Sequence, residues 1–335
     1  MTPKQRVLKA LNHEQTDFVP YNIWWDTGVR EMYAEWLGDP EFDKDVVEHF
    51  LQVGAGMRQD NISEDEYVDE WGCRFKQGNI FHIVDPRLPE PELGDYSFPD
   101  LSLEWRYEDL ANSIAQRPGK FVVAAFYGGF FERGCWLRGM QNWLMDLVEH
   151  EGFVNELLDG VLDVIMAFVD VTGKRSDVDA ILLGDDYGQQ RGLIMGPVLW
   201  RKYFKPRLAR VFKRIHEHGK YTAIHSCGDN ADIMGDLIEI GLDIFNPFQP
   251  EAMDIVEMKR RHGERVTFNG GIGTQGALVY GSPDNVRREI RFALREIGRG
   301  GGFVIETTKA LRREVPMENI TVVIDELTNQ RRYDA

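Results

Sequence analysis

From residue 119 onward, short apolar runs alternate with longer segments in which apolar residues recur every three to four positions. The short runs are typical of buried strands, and the longer period is typical of helices. Six strands are predicted, in the segments KFVVAAFYG, DAILLGDDYG, YTAIHSCGD, LDIFNPFQ, RVTFNGGIG and GGFVIETT. The predicted helices cover residues 141–171, 197–218, 230–240, 252–262, 283–299 and 317–329. Strands that alternate with helices in this way favour a parallel sheet.

The first 118 residues are less regular. The pair Thr2-Pro3 is typical of a helix start, and the run FVPYNIWW at 18–25 predicts a seventh strand. The region that follows contains predicted acidic helices around 41–68, a predicted hairpin in EWGCRFKQGNIFHIV and the proline-rich connector PRLPEPELGDYSFPD. We expect the eighth strand of a closed sheet to lie within this region.

Eight strands and their helices predict an α/β fold of the (β/α)8 barrel type. We expect a single domain over residues 1–335, with an insertion of helices and a hairpin at about 40–118. A doubly wound open sheet is the alternative. Both folds place ligands at the carboxyl ends of their parallel strands, so the candidate site is the same in either case.

Composition narrows the classes of function. Lys and Arg number 39 and Asp and Glu number 55, for a net charge of −16. Such a surface repels nucleic-acid phosphates and anionic lipids, so neither is an expected partner. Three cysteines are too few for a disulfide framework and suit a reducing compartment. With no secretory signal pattern and no long apolar run, the sequence predicts a cytoplasmic protein without membrane spans.

Polar side chains gather at the carboxyl ends of the predicted strands. They are Asp26, Tyr127, Asp185, Asp186, His225, Cys227, Asn246, Gln249, Asn269 and Glu306. Positions i and i+2 of a strand project to the same side, so His225 and Cys227 can reach one point. Imidazole nitrogen and thiolate sulfur are good ligands for Zn²⁺. A buried cysteine beside a hydrogen-bonded histidine explains the pair equally well.

A metal site needs further ligands and a substrate pocket. Glu306 ends an apolar strand, where a lone carboxylate is costly unless it is paired or bound to metal, and it is the candidate third ligand. Asp185 and Asp186 are candidate catalytic acids, with helix capping as the structural alternative. Predicted substrate-binding residues are those that face the mouth and a lysine beyond the last strand, namely Trp24, Asp26, Tyr127, Asn246, Gln249, Asn269 and Lys309.

Several longer segments resemble the uroporphyrinogen decarboxylase superfamily. They are FERGCWLRGMQNWLMDLVEHEGFVNELLD, GDDYGQQRGLIMGPVLWRKYFKPRLARVF, HSCGD and EVPMENITVVIDEL, and the resemblance extends from residue 1 to about 328. It implies a (β/α)8 barrel. It also implies one of two chemistries, which are metal-free decarboxylation of porphyrinogens and zinc-dependent methyl transfer in corrinoid systems.

The chain resembles the methyltransferase branch more closely. The arginine-rich signature of the decarboxylases is replaced by VPYNIWWDTGVREMY, whose only arginine is Arg30. His225-Ser226-Cys227 is similar to the His-x-Cys zinc element of the methyltransferases. Their third ligand is a cysteine about seven residues before a proline, and counting back from Pro316 gives Lys309 instead.

The resemblance therefore implies a zinc-dependent methyltransferase. It would move a methyl group between a small substrate, such as a methoxylated compound or a thiol, and a corrinoid supplied by a partner protein. Two alternatives remain. One is a metal-free decarboxylase in which Lys309, Arg30 and Arg138 bind carboxylates, and the other is a non-enzymatic corrinoid-binding barrel. A homodimer is left open.

Overall fold

The computed structural model describes residues 1–44, 46–76 and 82–330. Its central feature is a sheet of seven parallel strands, which follow one another around the sheet in the order of the chain. They are β1 (Phe50–Gly54), β6 (Phe121–Tyr127), β7 (Ala180–Gly184), β10 (Tyr221–His225), β11 (Ile244–Phe248), β12 (Thr267–Ile272) and β13 (Phe303–Thr307). A doubly wound sheet would reverse its strand order, and this one does not. The predicted (β/α)8 class is confirmed.

Two sets of shorter strands lie outside this sheet. A four-stranded antiparallel sheet contains β2 (Gln59–Asn61), β3 (Glu66–Asp69), β4 (Arg74–Lys76) and β5 (His82–Ile83). A small hairpin contains β8 (Gly188–Gln189) and β9 (Gly192–Leu193).

The helices mostly follow strands of the large sheet, and the first two precede it in the chain. They are α1 (Pro3–Leu11), α2 (Val29–Leu37), α3 (Glu108–Gln116), α4 (Phe130–Arg138), α5 (Met140–Glu149), α6 (Glu151–Gly173), α7 (Gly196–Tyr203), α8 (Lys205–Glu217), α9 (Ala231–Glu239), α10 (Ile255–His262), α11 (Ala277–Tyr280), α12 (Pro283–Phe292) and α13 (Met317–Thr328). Two predicted helices are each divided in two, 141–171 at His150 and 197–218 at Phe204. Within the described residues, no helix has the length and apolar character that a membrane span requires.

The inside of the barrel is filled by alternate residues of its strands. Phe121, Val123 and Ala125 of β6 pack with the corresponding residues of β7, β10 and β11. Val7 and Leu11 of α1 join the same cluster, so this helix closes the end of the barrel opposite the carboxyl ends of the strands. The carboxyl ends are therefore the open, ligand-accessible face.

The eighth position of the barrel is taken by residues 18–25, but not as the predicted strand. This segment makes only two isolated bridges to the β13 side, from Tyr21 to Ile305 and from Trp25 to Leu311. At Val19 a side chain replaces the strand partner, because Gln330 accepts a hydrogen bond from the N–H of Val19 and donates one to its carbonyl. The strand predicted at 18–25 is therefore wrong, whereas the expected eighth strand within 26–118 is β1.

The barrel closes loosely between residues 22–25 and β1, an edge we call the seam. Near its base the N–H of His49 donates to the carbonyl of Tyr21. Beyond that bond, no backbone hydrogen bond joins residues 22–25 to β1 within the described ranges 1–44, 46–76 and 82–330. Within the described residues, the seam is thus the one place where neighbouring segments of the barrel are not joined by a ladder of backbone hydrogen bonds.

The antiparallel sheet of β2–β5 is inserted between β1 and β6. The acidic helices predicted around 41–68 are wrong, because β1, β2 and β3 occupy much of that range. The hairpin predicted in EWGCRFKQGNIFHIV is confirmed in the pairing of β4 with β5, and its turn at 77–81 lies outside the described residues. Arg133 of α4 holds the insertion to the barrel, because its guanidinium lies over the rings of both Trp71 and Trp136.

Candidate metal centre and its cavity

His225 and Cys227 meet at the open end of β10, as their spacing predicts. The His225 Nε2 atom and the Cys227 Sγ atom are 3.4 Å apart. The turn after the strand is rigid, because the Asn230 side chain donates to the carbonyls of residues 226, 227 and 228. Gln249, a predicted substrate-binding residue, supports the same turn by accepting a hydrogen bond from the N–H of Gly228. The two candidate metal-binding side chains are therefore held in place before a metal ion binds.

The residue that joins this pair is Asp186, which follows β7. Its Oδ1 atom accepts a hydrogen bond from the N–H of Cys227 at 2.8 Å. The carboxylate oxygen, the His225 ring nitrogen and the Cys227 sulfur all lie within 4.8 Å of one another. One nitrogen, one sulfur and one oxygen form a donor set that Zn²⁺ accepts, with a fourth position left for substrate or water. The residues present fit the metal that the sequence predicts.

The tautomer of His225 is fixed by Asn246. The Asn246 amide group donates to Asn269 Oδ1 at 2.9 Å and to Glu306 Oε1 at 2.7 Å, so its carbonyl oxygen faces His225. That oxygen lies 2.5 Å from His225 Nδ1, which must therefore carry the proton. The lone pair of Nε2 then points toward Cys227 and Asp186, as a metal ligand requires.

Glu306 does not reach the ligand group, which corrects its predicted place as third ligand. Its carboxyl lies behind Asn246 and is separated from His225 by that side chain. Burial raises the pKa of Glu306 to about 7, although hydrogen bonds from asparagine side chains lower it. Glu306 thus anchors the asparagine that orients the ligand, and Asp186 takes the predicted third place beside His225 and Cys227.

Asp185 and Asp186 point in opposite directions, and only one faces the candidate metal centre. The Asp185 carboxylate accepts hydrogen bonds from the N–H groups of Phe131 and Glu132 at the start of α4, at 2.9 and 2.8 Å. Burial raises its pKa to about 6, against the effect of those two bonds. Asp185 therefore caps a helix, which is the structural alternative that the sequence left open.

Lys309 is an electrostatic neighbour of the metal-ligand group. Its ammonium interacts with the Cys227 sulfur and with the charge of Asp186. Burial lowers the pKa of Lys309, but these neighbours and Glu132 outweigh burial and raise it. Burial, together with Asp186, raises the pKa of the Cys227 thiol to about 12 despite the nearby ammonium. In the absence of metal the thiol is therefore protonated at neutral pH.

A cavity of about 490 Å³, within the size range of small-molecule pockets, lies along the seam between residues 22–24 and β1, and Asp186, His225 and Cys227 are not among its lining residues. Trp24 and Tyr127, two of the predicted substrate-binding residues, line this cavity, and each ring lies roughly perpendicular to the His225 imidazole, at centroid distances of 6.4 and 5.9 Å. Glu306 lines the same cavity, and Lys120 and Arg117 line it as well. Asp26, also predicted to bind substrate, is instead half-exposed and 3.9 Å from Arg312.

Two polar residues near the site were not found from the sequence. Gln52 of β1 lines the cavity and donates to the Tyr127 hydroxyl at 2.7 Å. Glu132, in the first turn of α4, has its pKa raised to about 8 by burial and by Asp185 and Asp186. Gln52 lies in a segment that the sequence predicts to be helical, and this prediction hid its place within a strand. Glu132 comes shortly after a Gly-Gly turn that follows β6. This position was the only feature of the sequence that could have indicated a functional role for Glu132.

Comparison with known proteins places the chain. A family model described as uroporphyrinogen decarboxylase (URO-D) matches residues 89–330. The chain belongs to the uroporphyrinogen decarboxylase family. A uroporphyrinogen decarboxylase of Xanthomonas euvesicatoria is 22% identical over an alignment of 342 positions, which covers 90% of each chain. The family assignment agrees with the resemblance in the sequence.

The proteins similar to this chain also include methyltransferases. The methylcobamide:CoM methyltransferase MtaA of Methanosarcina barkeri is 24% identical over 131 residues, which cover 39% of this chain and 36% of MtaA. A solved methyltransferase from Methanosarcina mazei superposes with a TM-score of 0.74 at 17% identity, covering 99% of both chains. At that identity the structural match shows a shared fold.

Proposed function

We propose that this family member is a metal-dependent methyltransferase of a corrinoid system, with Zn²⁺ held by Asp186, His225 and Cys227. The observation that carries the proposal is the meeting of these three side chains, whose ligand atoms lie within 4.8 Å of one another at the open end of the barrel. The similarity to methyltransferases supports it. A bound zinc ion would act as a Lewis acid toward a methyl-donor oxygen or toward an acceptor thiol.

The protein's own residues would orient and enclose the substrate. Asn246 holds the His225 ring so that Nε2 faces the ligand group. Trp24 and Tyr127 form aromatic walls of the cavity beside it, and a flat substrate would pack against them. The Gln52 bond to the Tyr127 hydroxyl fixes one of those walls. The shape of the cavity would thus select the substrate, and the metal ligands would hold the ion that activates it.

Glu132 is the proton donor we assign to the leaving group. Its raised pKa, about 8, keeps the carboxyl protonated at neutral pH. In demethylation, the bond between the methyl carbon and the donor oxygen would break with its electron pair left on the oxygen, and a reduced, cob(I)-type corrinoid would supply the electron pair of the new bond to the methyl group. A proton from Glu132 would neutralise that oxygen. Transfer to a thiol would run with the proton moving in the opposite sense.

Metal content tests the proposal directly. We expect the purified protein to bind about one zinc per chain, a stoichiometry set by one three-ligand site. His225→Ala, Cys227→Ala and Asp186→Ala should each lose the zinc, as measured by inductively coupled plasma mass spectrometry. Cys135→Ala is the matched control, because this cysteine lies outside the ligand group.

Activity is followed by the absorbance of the corrinoid. We expect the zinc-loaded protein to demethylate methylcobalamin with a thiol acceptor, or to methylate cob(I)alamin from a methoxylated compound. A metal-free protein that instead releases CO₂ from a porphyrinogen would overturn the proposal in favour of the decarboxylase chemistry.

A further inference from the structure

A second cavity lies next to the cavity along the seam, which we call the seam cavity. The second cavity also measures about 490 Å³, and its lining includes Arg30 of α2 and Ile324 of α13. Ile23, Glu48 and Arg117 line both cavities, so the two lie side by side. These three shared residues therefore mark the end of the seam cavity that faces the outer helices.

The seam cavity is elongated, and its two ends differ in chemistry. Residues Phe50–Gly54 of β1 all line it, which corresponds to about 13 Å of extended strand. β6 begins four residues after Arg117 and ends at Tyr127, so these two lining residues mark opposite ends. The Tyr127 end is aromatic, because Trp24 lines it as well, and both rings adjoin His225. The Arg117 end is charged.

The other charged side chains at the outer end are paired with each other. Arg30 donates two hydrogen bonds to the carboxylate of Asp43, at 2.6 and 2.5 Å. The Lys120 ammonium lies 3.0 Å from a carboxylate oxygen of Glu48. In contrast, the exposed Arg117 guanidinium makes no ion pair and no hydrogen bond within residues 1–44, 46–76 and 82–330. Its charge is therefore available to a bound molecule.

The number of available cations limits the charge of the ligand. The sequence offers Arg30 and Arg138 for carboxylates, but Arg30 is paired as described above. Arg138 is buried and donates to Asp146 and to the carbonyls of residues 88 and 89, each at 2.6 Å. A porphyrinogen, with several carboxylates, would require several free cations. One free guanidinium matches one carboxylate, which it can bind through two parallel hydrogen bonds.

The wall of the seam cavity contains an acceptor without a donor. Asn22 lines this cavity, and its buried Oδ1 atom makes no hydrogen bond in the part of the chain that the structure describes. A buried acceptor that lacks a donor is costly, and a hydroxyl or N–H group of a molecule in the cavity would supply one. The cavity thus offers a cation to an anionic group and an acceptor to a donor group.

We propose that the seam cavity binds an elongated aromatic monocarboxylate, with its carboxylate on Arg117 and its methoxylated ring beside Trp24 and Tyr127. The inference rests on the proposed function, because it takes this molecule as the methyl donor. A chain with a net charge of −16 repels anions in general, so an anionic substrate needs a local cation. Arg117 supplies it, and the structure thereby assigns Arg117 as a specificity-determining residue outside the metal centre.

Isothermal titration calorimetry tests the inference with 3-(3-hydroxy-4-methoxyphenyl)propanoate and its neutral amide. We expect the wild type to bind the carboxylate about fivefold more tightly than the amide, as one partly solvated ion pair allows. Arg117→Gln should lose this preference through weaker binding of the carboxylate alone. Arg117→Lys keeps a cation and should retain part of the preference. Arg299→Gln is the matched control, at an exposed arginine that lines neither cavity, and it should behave as the wild type does.

The zinc content of the same samples separates the inference from the function on which it rests. The inference is overturned if the wild type binds neither ligand, if it binds both equally, or if Arg117→Gln keeps the preference. Zinc bound by the wild type would leave the proposed function standing in each of these cases. An equal loss of preference in Arg299→Gln also overturns the inference, because general surface charge would then explain it. A preference that depends on Arg117 in a protein without zinc supports the carboxylate site and contradicts the zinc-dependent function.

Discussion

At the scale of single residues, the arrangement of the site depends on one amide side chain. Asn246 accepts from His225 and donates to Asn269 and Glu306. All of these groups are buried, so neighbouring side chains, and not water, determine the orientation of the amide. The asparagine thereby decides which ring nitrogen of His225 is free to bind metal.

We expect Asn246→Ala to weaken zinc binding by roughly 10- to 100-fold, the usual effect of removing the partner of a metal-binding histidine. The ring would lose both its orientation and its fixed tautomer. Titration with a competing chelator measures the change, and Asn142→Ala, on α5 and far from the site, is the control. An unchanged dissociation constant would contradict the role of Asn246.

Glu306 makes the stability of the fold depend on pH. Its folded-state pKa is raised by burial from 4.5 to about 7, so the folded protein holds this proton more tightly than the unfolded chain does. The contribution is present below pH 4.5 and is lost as the pH rises toward 7, by about 3 kcal/mol at most.

Glu306→Gln mimics the protonated carboxyl and removes this dependence. We expect the variant to gain stability relative to the wild type between pH 5 and pH 8, by about 2 to 3 kcal/mol in urea unfolding. Other titrating groups are the same in both proteins and cancel in the comparison. Glu318→Gln, at an exposed carboxylate, should show no such gain. Equal differences at both pH values would count against the raised pKa.

At the scale of elements, β7 ends in two adjacent carboxylates with different tasks. Asp185 caps α4 and Asp186 faces the candidate metal centre. Both residues lie beyond the last paired residue of the strand, where their side chains turn to different partners, Asp185 to the start of α4 and Asp186 to the turn after β10. The two residues can therefore be separated by experiment.

We expect Asp185→Ala to lower the free energy of unfolding by about 2 kcal/mol, because two N–H groups of α4 lose their acceptor. The variant should keep its zinc. Asp186→Ala should lose its zinc and cost less stability. Thermal unfolding and metal analysis of the two variants together measure this difference, and a zinc-free Asp185→Ala protein that is still folded would refute the division of roles.

The same element shows what the sequence predicts and what it does not. Strand periodicity brings His225 and Cys227 together, because two residues on one strand have a fixed relation. The third member comes from another strand end, beyond the last laddered residue of β7, where periodicity no longer determines direction. The sequence therefore favours Glu306, which lies near the end of its strand. In the structure, the Asn246 side chain separates its carboxyl from His225.

At the scale of the whole molecule, alternating patterns predict the barrel and fail where side chains replace the ladder. Strands from β6 onward are buried on both faces and are visible as apolar runs. Residues 18–25 have the same apolar character, yet Gln330, 311 positions away from Val19 in the sequence, takes that residue's backbone hydrogen bonds. A contact so distant leaves no trace in local periodicity.

The seam gives the barrel one place where it can part. Within the part of the chain that the structure describes, the amide hydrogens of β1 have no backbone partner on that side, whereas β7 is bonded to β6 and β10 on its two edges. We expect deuterium to enter peptides covering residues 48–54 well before those covering residues 180–184, as measured by exchange mass spectrometry. Equal protection of the two strands would contradict this.

Ile23 and Val53 belong to the two segments on either side of that gap, and both border the cavity. Brief parting of the two segments would widen the space beside Trp24 without disturbing the ring of bonded strands that carries His225. If the proposed corrinoid protein covers the open end of the barrel, a small substrate could then enter through the wall at this gap.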